Sequence, residues 1–390
     1  MDDSTPELSP ELSIVMPCLN EARTLASCIA KAKAFLDKYR VSGEIVIADN
    51  GSDDGSQDIA RRNGAVVVDV AQRGYGAALS AGIQVARGRF VIMGDADDSY
   101  DFGDSWPILQ KLREGVDLVV GNRFEGGIKK GGMPFLNRYL GNPVLSFIGR
   151  LFFTIPLHDF HCGLRGFKRD RILELNMQTL GMEFASEMIV LASLNGLTMA
   201  EVPVTLSPDG RGRKPHLNPW RDGWRHLRFL LLYSPRWLYL YPGLALILFG
   251  LFICALLLPG PLQIFEGFGL DVHTLLIGAM SILVGMQSLT FGLIARGYAK
   301  RNGMLPRCSK FDKILMDLRL EHLLCGGGVL FAFGLGMIGF ALHRWSSVHF
   351  GALDYQAVMR ILIVAVTCCV GGLQLGFSAF LLGVMQIERK

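Results

Sequence analysis

Two hydrophobic rhythms divide this chain. Over the first 120 residues, short apolar runs alternate with amphipathic segments. Leu12–Met16, Glu44–Ala48, Ala65–Val70, Phe90–Met93 and Leu118–Val120 read as strands, with helices near residues 21–39, 54–63, 76–87 and 104–114. Runs that are apolar at consecutive positions fit strands buried on both faces, which predicts a mostly parallel sheet in an α/β layer fold. In such folds chemistry sits at the carboxyl ends of the strands. Polar clusters follow three of these runs: Asn20-Glu21, Asp49-Asn50 and Asp95 to Asp98. Three polar strand ends predict one crevice.

The last 150 residues follow another rhythm. Tyr241–Leu258, Val272–Ala295, Leu323–Leu342 and Ile361–Met385 are almost free of charge. Each is about 18 to 25 residues long, enough to cross a ~30 Å hydrocarbon core as a helix. The gap between the second and third carries Arg296, Lys300, Arg301, Arg307, Lys310, Lys313 and Arg319, whereas Pro259 to Asp271 has no Lys or Arg. The positive-inside bias makes the basic gap cytoplasmic, and an even number of spans puts both termini there too. Residues 1–11 are acidic and polar, expected to be a disordered N-terminus rather than a signal peptide. The expected organisation is therefore a cytoplasmic domain over 12–218, an interfacial segment over 219–240 and a four-helix transmembrane domain over 241–390, in the cell (inner) membrane.

Charge refines this picture. Residues 1–120 carry 12 Lys and Arg against 19 Asp and Glu, while residues 121–240 carry 16 against 9. The acidic part suits metal and nucleotide chemistry; the basic part adjoins the spans and suits anionic headgroups or phosphates rather than nucleic acid. Pro134–Ile155 mixes Phe, Leu and Ile with Arg138 and Arg150, and Pro219–Tyr241 is rich in Trp and Arg. Both read as helices lying in the headgroup region. The eight cysteines show no zinc-like or framework spacing and are expected to be reduced.

Candidate chemistry centres on Asp95-Ala96-Asp97. Carboxylates two apart where a strand ends can reach one hard cation, with diphosphate oxygens filling its other positions. Such a metal neutralises a leaving diphosphate. Arg73-Gly74-Tyr75-Gly76 lacks the third glycine of a dinucleotide loop, since Leu79 stands there, and reads as a tight turn into a helix. In His158–Phe167, Asp159 and Arg165 are the site candidates, while His158 and His161 lack a third metal-binding partner. Arg211, Arg213 and Lys214 form a cationic loop that could close over phosphates. Glu187 is a weaker base candidate.

Val15-Met16-Pro17-Cys18-Leu19-Asn20-Glu21, then Ala48-Asp49-Asn50-Gly51-Ser52-Asp53-Asp54-Gly55-Ser56, then Asp95/Asp97 resemble the family 2 glycosyltransferases of GT-A fold. Gly121-Asn122-Arg123-Phe124, the Asp159–Arg165 loop and the membrane tail are similar to the polyprenyl-phosphate (dolichyl-phosphate) sugar synthases. The resemblance implies that Pro17, Asn20, Glu21, Asp49, Asn50, Asp95, Ala96 and Asp97 line the nucleotide-sugar site. It further implies that Asp95 and Asp97 hold Mg²⁺ or Mn²⁺, and that Arg123, Arg165, Arg211, Arg213 and Lys214 gather the acceptor phosphate. Asp159, Asp97 and Arg165 are the expected catalytic residues, Asp159 by orienting the acceptor or taking a residual proton. Leu19 and Asn50 stand where many relatives have Tyr and Asp, and Asp98-Ser99 where they often have Gln.

The activity so implied is transfer of one hexose, with inversion, from a UDP- or GDP-sugar to polyprenyl phosphate. A homo-oligomer is compatible with it. Processive polysaccharide synthases carry Gln-x-x-Arg-Trp before a span; Tyr233 replaces that Gln here. A transporter would need ionisable residues at span centres, and these spans offer Gln287, Gln374 and the near-terminal His273.

Overall fold

The computed structural model describes residues 9–212, 219–265, 268–301, 320–352 and 354–386. The chain divides into two compact units, Met1–Leu230 and Leu231–Lys390. In the first, seven strands form one sheet: β1 (Leu12–Cys18), β2 (Gly43–Asp49), β3 (Val66–Asp69), β4 (Phe90–Met93), β5 (Leu118–Asn122), β6 (Arg165–Lys168) and β7 (Met199–Pro203). Their spatial order is β3-β2-β1-β4-β6-β5-β7. All adjacent pairs are parallel except those made by β6, which runs against β4 and β5. β1 and β4 are buried almost throughout, as their unbroken apolar runs require.

Helices α1 (Leu25–Tyr39), α2 (Ser56–Arg62), α3 (Tyr75–Val85) and α4 (Trp106–Arg113) connect the first five strands. α1 turns its apolar positions Leu25, Cys28, Ile29, Ala32, Phe35 and Leu36 inward at the i, i+3, i+4, i+7 spacing of a surface helix. The short α5 (Arg123–Gly126) leaves β5. α6 (Asn142–Phe153) follows, then α7 (Arg169–Leu173) and α8 (Phe184–Leu194) around β6, and finally α9 (Pro219–Leu232).

The antiparallel β6 determines where the site can be. Arg165, its first residue, pairs with Met93 and with Val120, near the carboxyl ends of β4 and β5. A parallel strand would send its outgoing loop to that edge; β6 sends the loop that leads into it, His158–Leu164. Neither β6 nor β7 is an apolar run in the sequence. Arg165-Gly166-Phe167-Lys168 is held in the sheet by partners on both sides.

The second unit contains α10 (Tyr241–Leu257), a β8–β9 hairpin (Leu262–Phe265 with Phe268–Leu270), α11 (Val272–Arg301), α12 (Leu320–Ser347) and α13 (Tyr355–Gln386). These supply four helices long and apolar enough to cross a membrane. They pack chiefly as two hairpins, α10 with α11 and α12 with α13. Small residues recur every seventh position on the contact faces: Gly243 and Gly250, Gly278 to Ala299, Gly327 to Ala341, and Ala365 to Ala379. A Cβ on Gly285 would lie 2.6 Å from the Gly243 carbonyl oxygen, and one on Gly372 2.6 Å from that of Gly327. Backbones approach closely because glycine removes the obstacle, the usual device where lipid offers no hydrophobic drive.

Between α11 and α13 runs a polar seam. Gln374 Nε2 donates to Gln287 Oε1 at 3.1 Å, and the Thr290 and Ser378 hydroxyls lie 3.1 Å apart. At the far end of these helices Arg360 pairs with Asp271. One hydrogen bond thus joins the two glutamines, with Gln374 Oε1 buried and without a partner.

Candidate active site

Three parallel strand ends and the loop into β6 assemble the crevice. After β1, Asn20 adopts a left-handed conformation (φ 58°). Its backbone N–H donates to Ser52 Oγ, and its Oδ1 accepts from Asp53 N–H at 2.9 Å, tying the two strand-end loops together. Glu21 is buried, and its N–H donates to Ser56 Oγ at 3.0 Å. Pro17, beside it in β1, is paired with Ala48.

Asp49 ends β2 and is 1% exposed. Its Oδ2 accepts from Gly51 N–H, Ser52 N–H and Gln57 Nε2 at 2.8 to 3.1 Å, while its Oδ1 is buried without a protein partner. Several donors hold this carboxylate ionised below its ordinary range against the opposing effect of burial. An unpartnered acceptor on so fixed a group is suited to a ligand's hydroxyl or imino proton. Asn50 is used differently. Its Nδ2 donates to the carbonyls of Val70 and Gln72, and its Oδ1 accepts from Gly74 N–H at 2.7 Å. It is a staple between loops rather than a free contact.

Asp95 and Asp97 follow β4, with the Ala96 side chain buried between them. Burial, reinforced by the Asp97 carboxylate, pushes Asp95 up to about 6. The Tyr75 hydroxyl donates to Asp95 Oδ1 at 3.0 Å and works against that rise. Asp97 Oδ1 accepts from Ser99 N–H (3.0 Å) and Ser99 Oγ (2.6 Å). Its Oδ2 meets Arg211 Nη2 at 2.6 Å, and Arg211 Nε lies 3.0 Å from Glu21 Oε1. Two carboxylates with this donor chemistry suit a hard divalent ion completed by phosphate oxygens. Among the described residues no cluster of three His, Cys, Asp or Glu could hold a metal alone. Crowding by Asp97 that raises the Asp95 pKa is what a cation would relieve, so the pair fits Mg²⁺ or Mn²⁺.

Asp159 and Arg165 have other duties. Asp159 is fully buried and takes a bidentate grip from Arg123, Nε to Oδ2 and Nη2 to Oδ1, both 2.7 Å. The backbone N–H groups of Arg123 and His161 also donate to it. Each oxygen of Asp159 accepts two hydrogen bonds. Arg165 is fully buried, donating from Nε to the Cys162 carbonyl, from Nη1 to that of Ala185 and from Nη2 to that of Phe160. This guanidinium folds the loop onto α8, with three of its N–H groups given to backbone carbonyls where a phosphate contact was expected. Glu187 is likewise a brace, accepting from Gln178 N–H, Thr179 N–H and Thr179 Oγ1. Arg213 and Lys214 lie outside the described residues.

Two contributors were not legible. Tyr75 is carried to Asp95 by the start of α3, where Gly74 and Gly76 let the backbone press against Leu180 and Thr179. His226 of α9 accepts or donates at Ser186 Oγ (2.9 Å), with its ring 4.6 Å from that of His161. Only the fold reveals these meetings, between residues 20 to 65 positions apart.

Fold and crevice together define an α/β domain with carboxylates at its strand ends, on a chain with four helices long and apolar enough to cross a membrane. Comparison with known proteins makes this specific. Residues 13–175 match glycosyl transferase family 2, and residues 293–386 match the glycosyltransferase family 2 C-terminal transmembrane region. The low-salt glycan biosynthesis hexosyltransferase Agl6 of Haloferax volcanii is 36% identical over 97% of this chain and 89% of its own length. A dolichyl-phosphate hexose transferase of the same organism is 29% identical over 55% of this chain and 89% of its own. Glucosyl-3-phosphoglycerate synthase from Mycobacterium tuberculosis, crystallised with Mn²⁺, UDP-glucose and phosphoglyceric acid, is 20% identical. It covers 58% of this chain and 79% of its own with a TM-score of 0.46. The chain belongs to glycosyltransferase family 2 and is a glycosyltransferase with a C-terminal transmembrane region.

Proposed function

We propose that this glycosyltransferase moves one hexose, with inversion, from a nucleotide diphosphate sugar to a polyprenyl phosphate at the cytoplasmic membrane face. The observation that carries the reading is the convergence, in one crevice, of Asp49 with its unpartnered oxygen, the Asp95/Asp97 pair and the Arg211 cation. Similarity to Agl6 along nearly the whole chain supports a hexose, and the dolichyl-phosphate hexose transferase supports a lipid phosphate acceptor. The basic connection over 296–319 favours a cytoplasmic catalytic domain. The exposed Phe135, Tyr139, Phe147, Trp220 and Trp224 suit helices lying on a bilayer surface.

In this reading Asp49, Pro17 and Glu21 seat the nucleoside. Asp95 and Asp97 would hold Mg²⁺ or Mn²⁺, which neutralises charge on the departing diphosphate when bound. Tyr75 fixes the rotamer of Asp95, and Ser99 that of Asp97. An acceptor phosphate is already anionic and needs no strong base, which agrees with Asp159 being spent on Arg123. Positioning falls instead to the cationic loop containing Arg211, Arg213 and Lys214. The test is incubation of the purified chain with polyprenyl phosphate and radiolabelled UDP- or GDP-hexoses. Label should pass into organic-extractable lipid as a single sugar; polymer formation, or no transfer from any donor, would refute the reading.

A further inference from the structure

Arg211 sits where the proposed metal must bind. Asp97 Oδ1 already accepts two hydrogen bonds from Ser99, so Oδ2 is the oxygen left for a cation, and Arg211 Nη2 occupies it at 2.6 Å. The same guanidinium reaches Glu21 across the crevice, which puts one positive charge between two carboxylates that follow adjacent strands. The arrangement is built, not incidental. The segment carrying Arg211 is laid along the strand-four loop by Ser207 N–H to the Ser99 carbonyl and Gly210 N–H to the Asp97 carbonyl, both 2.9 Å. Arg23 Nη1 donates to the Arg211 carbonyl at 3.1 Å. A Cβ on Gly210 would come within 2.8 Å of Thr24 Cγ2, so a larger residue would lift the segment away.

We infer that Arg211 is an internal counter-ion of the donor site, exchanged for the metal when the nucleotide binds. This rests on the proposed function. A divalent ion on Asp97 Oδ2 would lie against the guanidinium already 2.6 Å from that oxygen, and the two cations repel. Metal carried by a nucleoside diphosphate therefore expels Arg211, and the released guanidinium is delivered, still charged, to the mouth of the crevice for the acceptor phosphate. In the empty protein the same cation shields Glu21 and Asp97 and weakens the site for free metal.

The experiment measures Mn²⁺ binding to the full chain in lipid nanodiscs by electron paramagnetic resonance, alone and with UDP or GDP. Arg211→Ala and Arg211→Gln should each tighten Mn²⁺ binding without nucleotide by about tenfold, between the worth of an exposed and a buried ion pair. Arg211→Lys, which keeps the charge, should bind Mn²⁺ as the wild type does. With UDP or GDP present the variants should converge on the wild type. Unchanged or weaker Mn²⁺ binding by Arg211→Ala and Arg211→Gln would overturn the counter-ion while leaving the metal-dependent reading in place. Absence of Mn²⁺ binding by every protein with either nucleotide would overturn both.

Discussion

Acidification should loosen α9 from the catalytic domain. His226 is nearly buried against Ser186 and His161, and burial pushes its pKa down from 6.5 to about 4. Glu183 and Asp222 pull it up, while Arg165 pushes it further down. His161 is also held well below its ordinary range by burial, then by His226, Arg123 and Arg165. A histidine whose folded pKa is depressed contributes fully above its unfolded value, and that contribution is lost as pH falls from about 6.5 toward 4. For His226 alone the loss between pH 7.5 and 5 is about 2 kcal/mol, a rise of roughly 30-fold in the opening equilibrium. Hydrogen exchange of the α9 amides in the full chain, corrected for intrinsic rates, measures it. His226→Gln retains a hydrogen-bonding side chain and should remove most of the slope, leaving the share of His161. Protection that is equal at pH 7.5 and 5 in the wild type would refute the reasoning.

Asp95→Asn and Asp97→Asn should each lower sugar transfer by at least ~100-fold, because a lost metal ligand forfeits several kcal/mol of charge stabilisation; EDTA should abolish transfer and Mg²⁺ or Mn²⁺ restore it. Arg123→Met strands the buried Asp159 carboxylate and should cost about 3–5 kcal/mol in unfolding free energy, whereas Arg123→Met with Asp159→Leu should cost much less. Gly285→Val drives a side chain into the Gly243 carbonyl. Thermal unfolding in detergent should register about 1–3 kcal/mol of overpacking.

The fold's parallel core was readable because β4 is apolar and buried throughout and β1 and β2 carry the buried apolar runs Ile14–Met16 and Ile45–Ala48. β6 was not, because its membership in the sheet comes from partners and not from its own four residues. The four spans were legible from length and charge alone. Placement was legible where it follows from a strand end, as with Asp49 at the end of β2 and Asp95 and Asp97 just after β4. Arg165 and Asp159 look like ligand-binding groups in a glycine-punctuated loop. Nothing local shows that the donors of Arg165 end on the carbonyls of Phe160, Cys162 and Ala185, or that Asp159 ends on Arg123.

Because β6 enters the sheet antiparallel between β4 and β5, the chain leaves the crevice edge at Arg123 and returns to the same edge at Leu164. The excursion between them carries α6, with its exposed Phe147 and Leu151, between buried anchors such as Asp159 on Arg123 and Phe160 on Ser146. Its exposed apolar face can change without shifting the register of any strand pair.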